Sequence, residues 1–199
     1  MNAPVSGIIL AGGGSRRMGA DKRSVALNGK PLLAIAIELV AAVSDDVIVS
    51  CQHESPPDKD VCVERLVKLA FDLRAGGPLA GLEAALPAAQ HDLVLVIPVD
   101  MPGLTVATLT ALVDAARARP EAHGAAFEIA SVLDPFPGAY RRSILPIVSW
   151  HLDAGHFRVR DLLRDLDVET VVACPDVYDW RHFLNVNTPA DLARAENEF

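Results

Sequence analysis

An α/β fold with a mostly parallel central sheet and helices on both faces is what this sequence predicts, and three observations predict it. Short apolar runs alternate along the chain with stretches whose apolar residues recur at helical spacing. The runs are almost continuously Val, Ile and Leu, the composition of strands buried on both faces, where an alternately polar pattern would mark a half-exposed sheet. Several of them end in glycines or in a single carboxylate. Strand-and-helix alternation of this kind implies crossover connections and therefore parallel pairing. Ligands of such sheets bind beyond the carboxyl ends of the strands.

The first strand is read at VSGIILA, 5–11, and it runs into GGGSRRMGADK. Gly12, Gly13 and Gly14 let the backbone come close to a ligand and turn its N–H groups toward it, while Arg16, Arg17 and Lys22 add positive charge. Together they read as a cradle for polyphosphate. The cradle is not a Walker loop: Gly14 and Gly19 have the spacing, but Ala20 and Asp21 follow where Lys and Ser or Thr are required. Nor is it a dinucleotide fingerprint, because its third glycine would fall on Arg17. A tight turn with solvated basic residues would leave the clustering of cations in an acidic chain unexplained.

A helix is expected over 31–43, then strands at 46–50 and 66–71, with a surface loop at 55–60 between them. The second of these strands ends on Asp72, and Gly76-Gly77-Pro78-Leu79-Ala80-Gly81-Leu82 follows as another glycine-rich turn into a helix over 78–90. The strand 92–99 opens on Asp100, ahead of a helix over 105–119. A carboxylate at the mouth of a buried strand suits Mg²⁺, which takes one or two carboxylates with phosphate oxygens and water.

After Gly124 the pattern loosens into a β-like AAFEIASVL, a proline-rich DPFPGAY, helical stretches at 141–152 and 159–166, and a strand at 168–174. Thr188-Pro189 gives an N-cap with proline at the first helical position for a short last helix. Just before it, Asn185 and Asn187 lie two apart, so that on an extended segment they point the same way.

At 199 residues the chain is expected to form one domain, with a nucleotide-binding part over about 1–120 and an acceptor part over about 121–199. No long apolar span or leader is read, which predicts a soluble, cytoplasmic protein that does not enter membranes. A net charge of −8, from 18 Lys+Arg against 26 Asp+Glu, argues against a nucleic-acid polymer as partner but not against one nucleotide. Cys51, Cys62 and Cys174 lack metal or disulfide spacing and read as bystanders. The six histidines form no zinc motif, and Trp150 and Trp180 read as packing residues, although a flat heterocycle would stack on either.

The segments LAGGGSRRMGADK at 10–22, LNGKPL at 27–32, GPLAGL at 77–82, PVDMP at 98–102 and FLNVNTPADLARA at 183–195 resemble the molybdenum cofactor guanylyltransferases, in their order and over nearly the whole chain. The resemblance implies a Rossmann-like nucleotidyltransferase fold and transfer of GMP from GTP to the terminal phosphate of molybdopterin, with release of pyrophosphate. It implies Mg²⁺, or Mn²⁺ in its place, as cofactor. GTP and the molybdenum cofactor would be the small-molecule partners, and cofactor-synthesis proteins and molybdoenzyme chaperones the macromolecular ones. Residue by residue, it places Leu10, Ala11, Gly12, Gly13, Lys22, Ser50, Asp72, Gly77, Pro78, Leu79 and Asp100 around the nucleotide. Asp100 would also hold the metal, Arg16, Lys22 and Asp100 would act in catalysis, Arg158 would face molybdopterin, and Asn185 and Asn187 would face molybdopterin or the metal. Ser50 stands where related enzymes can carry a nucleotide-contacting asparagine.

The residues themselves leave the base open between guanine and cytosine. A sugar-phosphate nucleotidyltransferase on the same fold is a further alternative, and so is a non-catalytic carrier. A dinucleotide-dependent oxidoreductase fits worse, since Arg17 replaces the glycine and Ser50-Cys51 close the second strand without an acid.

Overall fold

The computed structural model describes residues 4–12, 25–53, 67–174 and 177–198. Its elements in chain order are β1 (Ser6–Leu10), β2 (Ala26–Leu27), β3 (Lys30–Pro31), α1 (Leu32–Ala41), β4 (Asp46–Cys51), β5 (Lys68–Phe71), α2 (Pro78–Ala85), β6 (Leu93–Pro98), α3 (Val106–Ala118), β7 (Gly124–Ile129), β8 (Val132–Arg141), α4 (Leu145–Asp153), α5 (Val159–Asp165), β9 (Val168–Val172) and α6 (Pro189–Glu198). Seven strands form one sheet in the order β5-β4-β1-β6-β8-β7-β9. Every pairing is parallel except those of β8, which runs against both β6 and β7. The carboxyl ends of the other six strands therefore share one edge. The expected mostly parallel sheet is the one found.

Alternate residues of the strands feed two cores. Ile9, Val49, Leu95 and Phe127 pack with α1, α3 and α6 on one face, and Ile8, Ile48, Val96 and Tyr140 with α2, α4 and α5 on the other. The ten-residue helix α1 buries Leu32, Leu33, Ala36, Ile37 and Val40, the spacing of one apolar stripe. Helix α3 begins at Thr105, whose hydroxyl accepts the Thr108 N–H at 3.1 Å, as an N-cap does.

Two parts of the topology differ from the sequence expectation. The proline-rich DPFPGAY belongs to β8, a ten-residue strand. Pairing jumps from Phe127 with Asp134 to Ala126 with Gly138, so the intervening residues, including a cis Phe136–Pro137 bond, stand out of the ladder. Tyr140, buried, closes this bulge by donating its hydroxyl to the Pro135 carbonyl at 2.6 Å. Prolines that cannot donate to a ladder are tolerated at such a bulge, which is why the run does not read as a strand. The second difference is the small β2–β3 hairpin, turning on Asn28 (φ 50°) and Gly29 (φ 80°), a pair suited to left-handed backbone.

At the amino end of the sheet one carboxylate joins three strands. Asp46, 4% exposed, accepts Ser6 Oγ at 2.6 Å and the Gln90 N–H at 2.8 Å, and pairs with Lys68 at 2.6 Å. Burial opposes its charge, but these hydrogen bonds and the lysine outweigh burial and hold its carboxyl below the ordinary range. No helix among the described residues is long and apolar enough to cross a membrane.

Candidate active site at the carboxyl edge of the sheet

The ladder continues one residue past β1. Ala11 donates to the Ser50 carbonyl at 2.9 Å and Val99 donates to the Leu10 carbonyl at 3.1 Å. Leu10 and Ala11 are buried, so their side chains serve the core, and Gly12 is the first exposed residue of the turn. Whatever this turn offers a ligand here is backbone. Asp72, just past β5, is fixed by its own N–H donating to Cys51 at 3.0 Å. A Cβ on Gly12 would lie 3.1 Å from Asp72 Oδ2, so glycine lets the loop and the carboxylate approach.

Ser50 is fully buried and donates its hydroxyl to Asp72 Oδ1 at 3.1 Å. It stands behind Asp72, and its hydroxyl serves the carboxylate. Burial pushes the Asp72 carboxyl above its ordinary range, and the Ser50 hydrogen bond only partly counters this. Gly81 of α2 makes the arrangement fit, since a Cβ there would come within 2.5 Å of Ser50 Oγ. Ser50→Ala is expected to raise the Asp72 titration further and to cost about 1 kcal/mol, checked by carboxyl NMR titration and urea unfolding; an unmoved Asp72 titration would refute the link.

The turn after Asp72 is held from outside. Arg74 donates to Glu83 of α2 at 2.9 Å and to Asp153 of α4 at 2.5 Å, while Ser149 donates to Glu83 at 2.7 Å. Gly77 then takes φ +61° as it enters α2, a conformation that favours glycine. Gly77 and Pro78 are exposed at this edge, whereas Leu79 is fully buried beneath them.

Asp100, two residues past β6, is half-buried, and its carbonyl accepts the Val186 N–H at 2.8 Å. That bond lays the 185–187 segment against the end of β6. Val186 is buried, with Asn185 exposed and Asn187 half-buried beside it. The segment is anchored from α6: Asp191 Oδ2 accepts the N–H groups of Asn187 at 3.0 Å and Thr188 at 2.8 Å, and Thr188 Oγ1 accepts the Asp191 N–H at 3.2 Å. This is the reciprocal pattern of a capping box, with aspartate in the glutamate position. The Thr188 hydroxyl, followed by these N–H donors, holds the Asp191 carboxyl below its ordinary range.

The structure thus brings Leu10, Ala11, Gly12, Ser50 and Asp72 together, and Asp100 with Asn185 and Asn187. Arg158 is exposed at the start of α5, with no described hydrogen bond or ion pair to either asparagine. Gly13, Arg16, Arg17 and Lys22 lie outside the described residues, as does Cys62. No group of three His, Cys, Asp or Glu is placed to hold a metal ion among the described residues. A single half-buried carboxylate such as Asp100 matches a cation that completes its shell with phosphate oxygens and water.

Trp150 and Trp180 pack on one side only: they are 54% and 52% exposed, Trp150 edge-on to His151 and His156 and Trp180 beneath the Arg194 guanidinium. Trp180 and Glu128 line a cavity of about 1000 Å³ at the carboxyl ends of β7 and β9. Sequence reading gave no hint of the cavity, because the β7–β9 pairing that frames it joins segments more than forty residues apart.

Gly12 just past β1 and the carboxylates past β5 and β6 lie along the carboxyl edge of the sheet, where open sheets of this kind bind their ligands. Residues 7–171 match the MobA-like NTP transferase domain. The chain is 34% identical to a probable molybdenum cofactor guanylyltransferase of Synechococcus elongatus, over 92% of this chain and 94% of that one. It is 31% identical to another of Peptoclostridium acidaminophilum, over 94% and 86%. The chain belongs to this family, the MobA-like nucleotidyltransferases that include the molybdenum cofactor guanylyltransferases. The fold matches the molybdopterin-guanine dinucleotide biosynthesis protein A of Archaeoglobus fulgidus, with a TM-score of 0.81 and 23% identity over 97% of both chains. It also matches a CMP:2-keto-3-deoxy-manno-octonic acid synthetase complexed with CTP, at 0.71 and 17% over 98% of both, so the fold alone does not select the base.

Proposed function

We propose that the protein transfers GMP from GTP to the terminal phosphate of molybdopterin, forming the guanine dinucleotide cofactor and releasing pyrophosphate. The observation that carries this reading is the Val186–Asp100 hydrogen bond, which sets the asparagine segment beside the carboxylate that ends β6, one strand from the glycine turn of β1. Residues 1–199 would act as one unit, its first part of about 120 residues holding the donor and the remainder the acceptor. The work would take place in the cytoplasm, alongside cofactor-synthesis proteins and molybdoenzyme chaperones.

In the reaction an oxygen of the molybdopterin phosphate attacks the α-phosphorus of GTP, and the bond to the bridging oxygen of the β-phosphate breaks. No covalent enzyme intermediate is needed, so alignment and charge stabilisation are what the protein must supply. Gly12 and Gly13 would offer backbone N–H groups to the triphosphate, and Asp72, Gly77 and Pro78 would border the nucleoside. Asp100 would hold Mg²⁺, which when bound neutralises charge on the phosphate oxygens. Asn185 and Asn187 would orient the acceptor phosphate, with Arg158 as a further cation on that side, and Lys22 and Arg16 would stabilise the departing pyrophosphate.

The direct test is incubation with molybdopterin, Mg²⁺ and each of the four nucleoside triphosphates, reading pyrophosphate and product mass. GTP is expected to be the donor; preference for CTP would overturn the guanine assignment, and no release with any nucleotide would favour a carrier. Lys22→Ala is expected to slow transfer by on the order of 10²–10³, the size of losing one preorganised donor. A loss below threefold would remove Lys22 from the machinery.

A further inference from the structure

The cavity at the carboxyl ends of β7 and β9 lies on one side of Asp100, while Asp72 lies on the other. In the order β5-β4-β1-β6-β8-β7-β9 the glycine turn of β1 and the carboxylate of β6 are central, β5 is at one edge, and β7 with β9 is at the opposite one. A reaction between two phosphates at the centre would leave the rest of each substrate to extend outward in opposite directions. The cavity is placed for the one that does not occupy the Asp72 side.

Its chemistry indicates what it takes. Glu128, Asp179 and Glu198 line it against one cation, Arg181. That guanidinium is already committed, to Asp179 at 2.7 Å and to Glu198 at 3.3 Å. Such a lining repels phosphate. The Glu128 carboxylate has no hydrogen bond or ion pair to another described residue, and when ionised it is an acceptor with no donor. The remaining wall is apolar and aromatic: Val177 is 70% exposed, and Trp180 half-exposed with the Arg194 guanidinium 4.6 Å from its ring centre. At the rim, Ile129 pairs with Val132 across a two-residue turn, with Ala130 at φ 49° and Ser131 at φ 63°. Non-glycine residues seldom hold that conformation. A flat, neutral ring with an edge of N–H donors fits the apolar and aromatic wall and the Glu128 acceptor.

We propose that this cavity holds the pterin ring system of the acceptor, with Glu128 accepting from its 2-amino and N3–H groups and with Trp180 and Val177 covering its face. The inference rests on the reading that molybdopterin is the acceptor. Strands β6 and β7 are two spacings apart, about 10 Å, which suits a fused pyranopterin whose phosphate is at one end and whose 2-amino edge is at the other. Guanine presents the same donor edge, but the sheet order assigns the nucleoside to the opposite side of Asp100.

The test separates binding from transfer. Titration of the protein with 6-hydroxymethylpterin, followed by calorimetry, is expected to show binding that GMP does not displace. Glu128→Gln, nearly isosteric, is expected to weaken that binding and raise the molybdopterin KM by on the order of tenfold or more, with GTP affinity within twofold. Val177→Arg, at an exposed position, is expected to obstruct the same ring without touching the strands. If wild-type protein transfers GMP while both variants keep the pterin affinity and the molybdopterin KM, the cavity assignment is overturned. Displacement of the pterin by GMP would overturn it too, in favour of a guanine site. Wild-type protein that transfers no nucleotide to molybdopterin, by contrast, overturns the reading on which the assignment rests.

Discussion

Asp100→Ala is expected to reduce GMP transfer by on the order of 10³ or more while leaving the protein folded. The side chain alone is removed. The backbone carbonyl that accepts the Val186 N–H at 2.8 Å remains, and so does the ladder beneath it, where Val99 donates to Leu10. Asp100 is half-buried at the end of an otherwise apolar strand, so its truncation opens little cavity. Single-turnover transfer and a melting curve on the same preparation check both halves. A folded variant with full transfer would remove Asp100 from the chemistry, and an unfolded one would mean that its side chain supports the edge.

Asp46→Ala is expected to do the reverse, lowering stability strongly with no direct effect on chemistry. It strips the partner from Lys68 and leaves Ser6 Oγ and the Gln90 N–H without their acceptor. Lys68 is 37% exposed, so the cost lies mainly in the two hydrogen bonds to the buried carboxylate, about 2 kcal/mol, or roughly 4–8 °C of melting temperature for a chain of this size. The pH dependence follows from the same contacts. The Asp46 carboxyl lies below its ordinary value when folded, so its contribution is complete above the unfolded value and is lost as pH falls through the folded one. Wild type should therefore lose stability below about pH 4 more steeply than Asp46→Ala. Parallel acid curves would show that the charge is not what holds the three strands.

Much of this molecule was legible because it is locally encoded. The buried strands β1, β4 and β6 are mostly apolar runs, Asp72 follows β5 directly and Asp100 comes two residues after β6. Thr105 and Thr188 mark helix starts by side-chain chemistry that needs no partner far along the chain. What was not legible depends on distant pairing. The strand β8 hides behind Pro135 and Pro137, and only its partners β6 and β7 make it a strand. Ser50 reads as a nucleotide contact by position, and its hydrogen bond to Asp72, twenty-two residues on, and its fit beneath Gly81 depend on the folded chain. Trp180 reads as core by type and is exposed because the chain around it crosses the open end of β7 and β9. Asn28-Gly29 carried a hairpin signal in plain view, and it marks the β2–β3 turn.

The anchoring of Asn187 by Asp191 also has a meaning in time. Strands β1, β4, β5 and β6, with Asp72 just past β5 and Asp100 two residues past β6, are complete in the nascent chain long before α6 is made. The clasp that seats the asparagines depends on α6, whose Ala195 enters the core. Synthesis proceeds from the amino end and earlier parts can fold first. The order of translation therefore makes the strands that lead to Asp72 and Asp100 before the helix that clasps Asn187.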